Sequence, residues 1–187
     1  DDLSGTDVNT IIRAFCDVFA DCSLWNATPF DLMLVGSRGV RGPRTMEQFS
    51  QAWQTPVLEA RLREAGFERP EQIGATFVGD ASYLAALTRD TPALTDDFPQ
   101  RLRPVRGRPS LSDPAYGVDQ AVTQMFQSTL DPQRARTAFA SSPFIRSLWP
   151  AALIERTLPF FDVQAIVNRV YWDGGNPLRQ IDDLDAV

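Results

Sequence analysis

The sequence predicts a mainly α protein with a small antiparallel β-hairpin, an α+β arrangement, and three observations point there. Apolar residues recur every three or four positions through most of the chain, which is the helical period. CSLWN (22–26) and DLMLVGS (31–37) read as strands, and ATPF between them carries the proline of a turn. Helix-opening proline steps then recur at 55–56, 131–132, 142–143 and 149–150.

The first element is a one-sided helix over about residues 7–20. Val8, Ile11, Ile12, Phe15, Val18 and Phe19 fall on its apolar stripe behind a Thr/Asp cap. That stripe needs a sheet to cover, and the hairpin of 22–26 and 31–37 supplies one. A lone hairpin is marginal in water, so it is expected to pair with further strands or to be covered by helices. After a Gly/Pro loop at 38–44, Met46, Phe49 and Trp53 mark a helical face. Thr55-Pro56 restarts the helix and Gly66 stops it. Pro70 and Asp80 open two further short helices, the first carrying Ile73 and Phe77, the second Tyr83, Leu84 and Leu87.

Residues 91–117 break this pattern with five prolines and with Arg101, Arg103, Arg106 and Arg108, so 101–117 reads as a Pro/Arg-rich linker in which the charge is a solvated strap. Helices are expected to return at 118–187: Val118, Ala121, Val122, Met125 and Phe126 share one face, and the proline steps open others. Val163, Ile166, Val167 and Val170 form a last amphipathic set before an acidic tail. The expected organisation is therefore 1–100, the 101–117 linker, and a helical extension from 118.

Composition sets what the chain can do. With 187 residues, 43% of them hydrophobic, it can bury about 70% of its unfolded surface as a globular unit. The longest apolar runs fall short of the roughly 18 residues of a membrane-spanning helix, so no membrane segment is expected. Asp1 opens the chain without a methionine, as in a processed product or a fragment. A net charge of −6 argues against nucleic acid as a partner, because phosphate neutralisation needs a basic surface. Every basic residue is Arg; with neither Lys nor His there is no imidazole base, no Schiff-base lysine and no histidine metal ligand. Cys16 and Cys22 are read as buried small hydrophobes rather than a redox pair.

Three stretches invite a chemical reading. LVGSRG at 34–39 offers backbone amides and Arg38 to a phosphate or carboxylate, but it lacks the spaced glycines and following helix of a dinucleotide site, so a plain strand end is the expectation. Thr95, Asp96 and Asp97 place two carboxylates after a hydroxyl and before Pro99. Such a pair can share a proton, bind a cation or hold an ammonium group, although a capped turn accounts for it without a ligand. Trp149, Phe160, Tyr171 and Trp172 read as packing aromatics. No catalytic, cofactor-binding or metal-binding residue is assigned.

FCDVFADCSLWNATPFDLMLVGSRG (15–39), followed by ALTDDFPQRL (93–102), resembles the C-terminal part of spermidine synthase-like proteins, most closely the long bacterial forms. The match runs over roughly residues 8–103. In that family the helix, strand, turn and strand are the last helix and final two strands of a methyltransferase-type Rossmann domain, and a TDD-type element follows. That element corresponds here to Thr95, Asp96, Asp97 and Pro99, while Gln100, Arg101 and Leu102 depart from the family's usual continuation. The resemblance implies an S-adenosyl-dependent aminopropyltransferase or methyltransferase parent acting in polyamine biosynthesis. Decarboxylated S-adenosylmethionine or S-adenosylmethionine would be held by upstream polypeptide and not by this chain. It also implies a cytoplasmic location, a parent tethered to the inner membrane, and the upstream part of the same protein as partner, beside a protein partner or a second copy. The other expectation is a non-enzymatic helical interaction domain, in which 118–171 form a groove for a partner protein.

Overall fold

The computed structural model describes residues 5–28, 31–39, 42–92, 94 and 131–172. Helix α1 (Gly5–Val18) leads into β1 (Ser23–Thr28) and β2 (Asp31–Val35), followed by α2 (Met46–Gln54), α3 (Pro56–Glu64), α4 (Pro70–Ala75), β3 (Phe77–Asp80) and α5 (Ala81–Leu87). After residues 95–130, which lie outside the described residues, come α6 (Pro132–Ser141), α7 (Pro143–Leu148), α8 (Ala151–Thr157) and α9 (Phe160–Trp172). The described residues are mainly helical around one small antiparallel sheet, an α+β arrangement. Their helices include none long and apolar enough to cross a membrane.

The expected hairpin is present, with Trp25 opposite Met33 and Leu24 opposite Leu34. It is not alone. Phe77, expected on a helix with Ile73, lies in β3, which pairs antiparallel with β1 and gives the order β2-β1-β3. The reason is local. Helix α4 stops at Ala75, where the Thr76 amide turns back to the Ile73 carbonyl. The extended residues that follow then find an unpaired edge of β1. The sequence does not mark this break, because the helical spacing of Ile73 and Phe77 continues across it.

Other starts follow their local signals. Thr45 and Gln48 form a reciprocal capping box ahead of α2, and Asp80 accepts from the Ser82 and Tyr83 amides at the start of α5. Asp131 receives the Gln133 and Arg134 amides ahead of α6, and Ser142 receives that of Ile145 ahead of α7. Gly66 ends the α3 segment with φ +83, a left-handed conformation that suits glycine.

Alternation along the strands divides the apolar residues between two faces. Trp25 and Phe77 join Ala75, Ala135, Phe139, Phe144, Ile145, Trp149, Leu153 and Phe161 in one cluster beneath α6–α9. Leu24 and Val78 join Ile12, Cys22 and Leu84 beneath α1 and α5. The residues before and after the 101–117 segment thus share one core, while the segment itself lies outside the described residues, as does the helical face expected at 118–126. In α9 the buried residues are Phe161, Ala165 and Asn168, whereas Val163, Ile166 and Val167 are only half-buried. Among the described side chains of α9, the buried face thus carries Asn168, which accepts from Asn26.

Cys16 and Cys22 require a correction: they form a disulfide. Their six-residue separation exceeds one helical turn, but α1 ends at Val18 and the Cys22 amide turns back to the Phe19 carbonyl. That reversal brings the last turn of α1 against the entry to β1.

Candidate functional site

The turn leaving β2 is the first place to look for a ligand, because its glycines and Ser37 suit an anion. The structure fills it from within. Asp21 accepts the Ser37 amide at 2.8 Å with one carboxylate oxygen and the Ser37 hydroxyl with the other. The carboxylate that this turn can hold is therefore the chain's own. Directly before it, Gly36 lies against Phe19, and a Cβ there would come within 2.5 Å of the Phe19 Cβ. Strand β2 ends at Val35, as the plain strand-end reading expects, and Arg38 is exposed beyond it.

A buried polar cluster sits where β1 meets α9. Asn26, 3% exposed, donates from Nδ2 to Asn168 Oδ1 at 3.1 Å, and Gln164 Nε2 donates to the same oxygen at 3.0 Å. The Asn26 amide reaches the Thr76 carbonyl at 2.7 Å. Asn26 Oδ1 is buried without a protein partner. A void of about 10 Å³ adjoins these groups, lined by Asn26, Thr76, Gln164 and Asn168 with apolar Phe77 and Phe161. That is the size of one water, and the lining supplies the polar partners a water needs. Neutral amides orient and hold; they do not carry a proton at neutral pH. This cluster was not legible in the sequence, where Asn26 lies in a turn-proximal strand and Asn168 in a helix 142 positions away.

Two other groups stand out. Glu71, at 2% exposure, pairs through Oε1 with Arg156 of α8, while its Oε2 has no protein partner. The pair ties α4 to α8 beside Gly74, where Thr157 and Trp149 approach so closely that a Cβ would meet the Thr157 methyl at 2.5 Å. A shallow depression of about 420 Å³ lies on the far side of Trp149, bordered by Pro43, Arg146, Ala151, Ile154 and Glu155. Trp149 itself is core: it stacks on Trp25 at 6.3 Å and meets Phe139 edge-on at 5.3 Å. Phe160 packs against the same cluster from its rim.

Thr95, Asp96, Asp97 and Pro99 lie outside the described residues, as do the side chains of Tyr171 and Trp172. Among the described residues, no three acidic or cysteine side chains gather where they could hold a metal ion. Comparison with known proteins adds no identity: no family model, no curated protein and no solved structure matches the chain.

Proposed function

We propose that this chain is the C-terminal part of a spermidine synthase-like transferase, with no catalytic competence of its own. The observation that supports this most is the α1–β1–β2 unit. A helix lies across a hairpin whose outer strand, β2, has one edge without a strand partner among the described residues. Met33 on that strand is 45% exposed. An open edge of this kind accepts another strand, and the end of a larger sheet has this form. In the parent, the reaction would be attack of an amine nitrogen on the carbon next to the sulfonium of decarboxylated S-adenosylmethionine, with methylthioadenosine leaving and a carboxylate taking the proton. The adenosyl donor, the catalytic carboxylate and the membrane tether belong in this reading to the upstream part, and the protein is placed in the cytoplasm. Thr95, Asp96, Asp97 and Pro99 would follow the catalytic domain as its TDD-type element.

The test is calorimetric titration of methylthioadenosine and S-adenosylmethionine into the 187-residue chain, followed by a product assay with decarboxylated S-adenosylmethionine and putrescine. Neither binding nor product is expected. Micromolar binding of either nucleoside, or any aminopropylated product, overturns the reading. The helical interaction module draws less support, because the large exposed hydrophobics among the described residues are Ile11, Val18, Met33, Val57 and Leu58, all before residue 95.

A further inference from the structure

We propose that the Cys16–Cys22 disulfide is a redox latch on the turn that leaves β2. The bond closes a loop, 16–22, and two residues of that loop make specific contacts with the turn. Phe19 packs against Gly36 so tightly that no larger residue fits there. Asp21, the immediate neighbour of Cys22, receives both the backbone amide and the hydroxyl of Ser37. Cys22 is 1% exposed in the cluster beneath α1, so its position is set by packing. Cys16 is only half-buried at the end of α1. The disulfide therefore couples a well-anchored point to the loop that clamps the turn. Opening it removes the covalent closure of 16–22 and leaves Asp21 and Phe19 held by packing and hydrogen bonds alone. A disulfide that closes the loop clamping a specific turn has a use as a switch wherever a dithiol reductant reaches it. The coupling itself rests on the geometry and not on the proposed enzyme family.

The chemistry is a two-electron exchange with a dithiol. Its thiolate attacks Sγ of Cys16, the more accessible sulfur, forming a mixed disulfide and releasing the Cys22 thiolate. The second thiol of the reductant then displaces Cys16. The reductant ends as a cyclic disulfide, and the two cysteines have gained two electrons and, at neutral pH, two protons.

Hydrogen exchange of the full 187-residue chain, oxidised and in dithiothreitol, tests the latch. Losing one charge-assisted bond is expected to speed exchange at the Ser37 amide about tenfold. The Trp149 amide, bonded to the Ile145 carbonyl at 2.8 Å on the other face of the sheet, reports the stability lost by the whole fold, and the Ser37 change should exceed any change there. Asp21→Ala in the oxidised protein should reproduce the Ser37 change, and the Cys16→Ser/Cys22→Ser variant should show it without reductant. The proposal is overturned if Ser37 exchange is the same in both redox states, if Asp21→Ala leaves it unchanged, or if Trp149 loses as much protection on reduction as Ser37. The last result would make the bond a general staple of the fold.

Discussion

On one face of the sheet the buried residues are mostly aromatic and come from both sides of the 95–130 segment; on the other they are mostly aliphatic, come from the first 84 positions and are cross-linked. Trp25 and Phe77 meet Phe139, Trp149 and Phe161, residues brought from more than 50 positions away, with ring centroids 5.2 to 6.3 Å apart along the chain of contacts. Beneath α1 and α5, Ile12, Cys22, Leu24, Val78 and Leu84 come from the first 84 residues, and a covalent bond holds α1 to β1. Each face has its own means of closing the chain. The aromatic side gains enough buried surface to fix distant helices, since each large ring removes 150–250 Å² from water, at roughly 25 cal/mol per Å² of apolar area. The smaller side ends at the open edge of β2 and has fewer large residues to bury. A cross-link there offsets what packing does not supply.

The largest expected effect comes from breaking the aromatic face. Phe139 is fully buried between Phe77, Trp149 and Phe161, so Phe139→Ala should cost about 3–5 kcal/mol in urea unfolding. If the two faces unfold together, near-UV circular dichroism and far-UV signals will shift to the same lower midpoint. Next is the polar seam that joins β1 to α9. Asn168→Leu strands the Asn26 and Gln164 donors and should cost about 2–3 kcal/mol, whereas Asn26→Leu alone removes one donor and an already unpartnered oxygen and should cost less. A larger loss for Asn26→Leu than for Asn168→Leu would show that the orphan oxygen is satisfied by a bound water.

On the second face, the Cys16→Ser/Cys22→Ser pair removes a closure of short span, worth about 2 kcal/mol through the unfolded chain. Comparison of urea midpoints with and without reductant measures it, and the variant should lose its sensitivity to reductant altogether. The smallest effect is expected at Val57→Asp. Val57 is 67% exposed on α3, a helix with no buried residue, and the change should stay within about 0.5 kcal/mol. A loss of more than 1 kcal/mol there would mean that α3 packs against something in solution.

Sequence reasoning reached the elements whose signals are local. The apolar stripe of α1, the short apolar runs of β1 and β2, and the proline-opened helices at 55–56, 131–132 and 142–143 each state their own structure within a few residues. It missed β3, because FVGD has no alternation long enough to announce a strand and becomes one by meeting the free edge of β1. It missed the disulfide for a related reason: a spacing of six is not a helical neighbour, and only the stop at Val18 followed by the reversal at Phe19 turns it into a contact. The anion-suited turn at Ser37 was legible as a turn, but its occupant, Asp21, lies 16 positions upstream on another element.

What the amino acids determined without help was the class of the protein: an acidic, lysine- and histidine-free, mostly helical chain with a hairpin near its start, because composition and short-range periodicity are properties of neighbours. Tertiary structure alone decided how the halves share a core, which asparagines pair, which cysteines bond and what fills the turn after β2. Each of those depends on distances between residues far apart in the chain, and such distances exist only once the sheet and its covering helices have closed on each other.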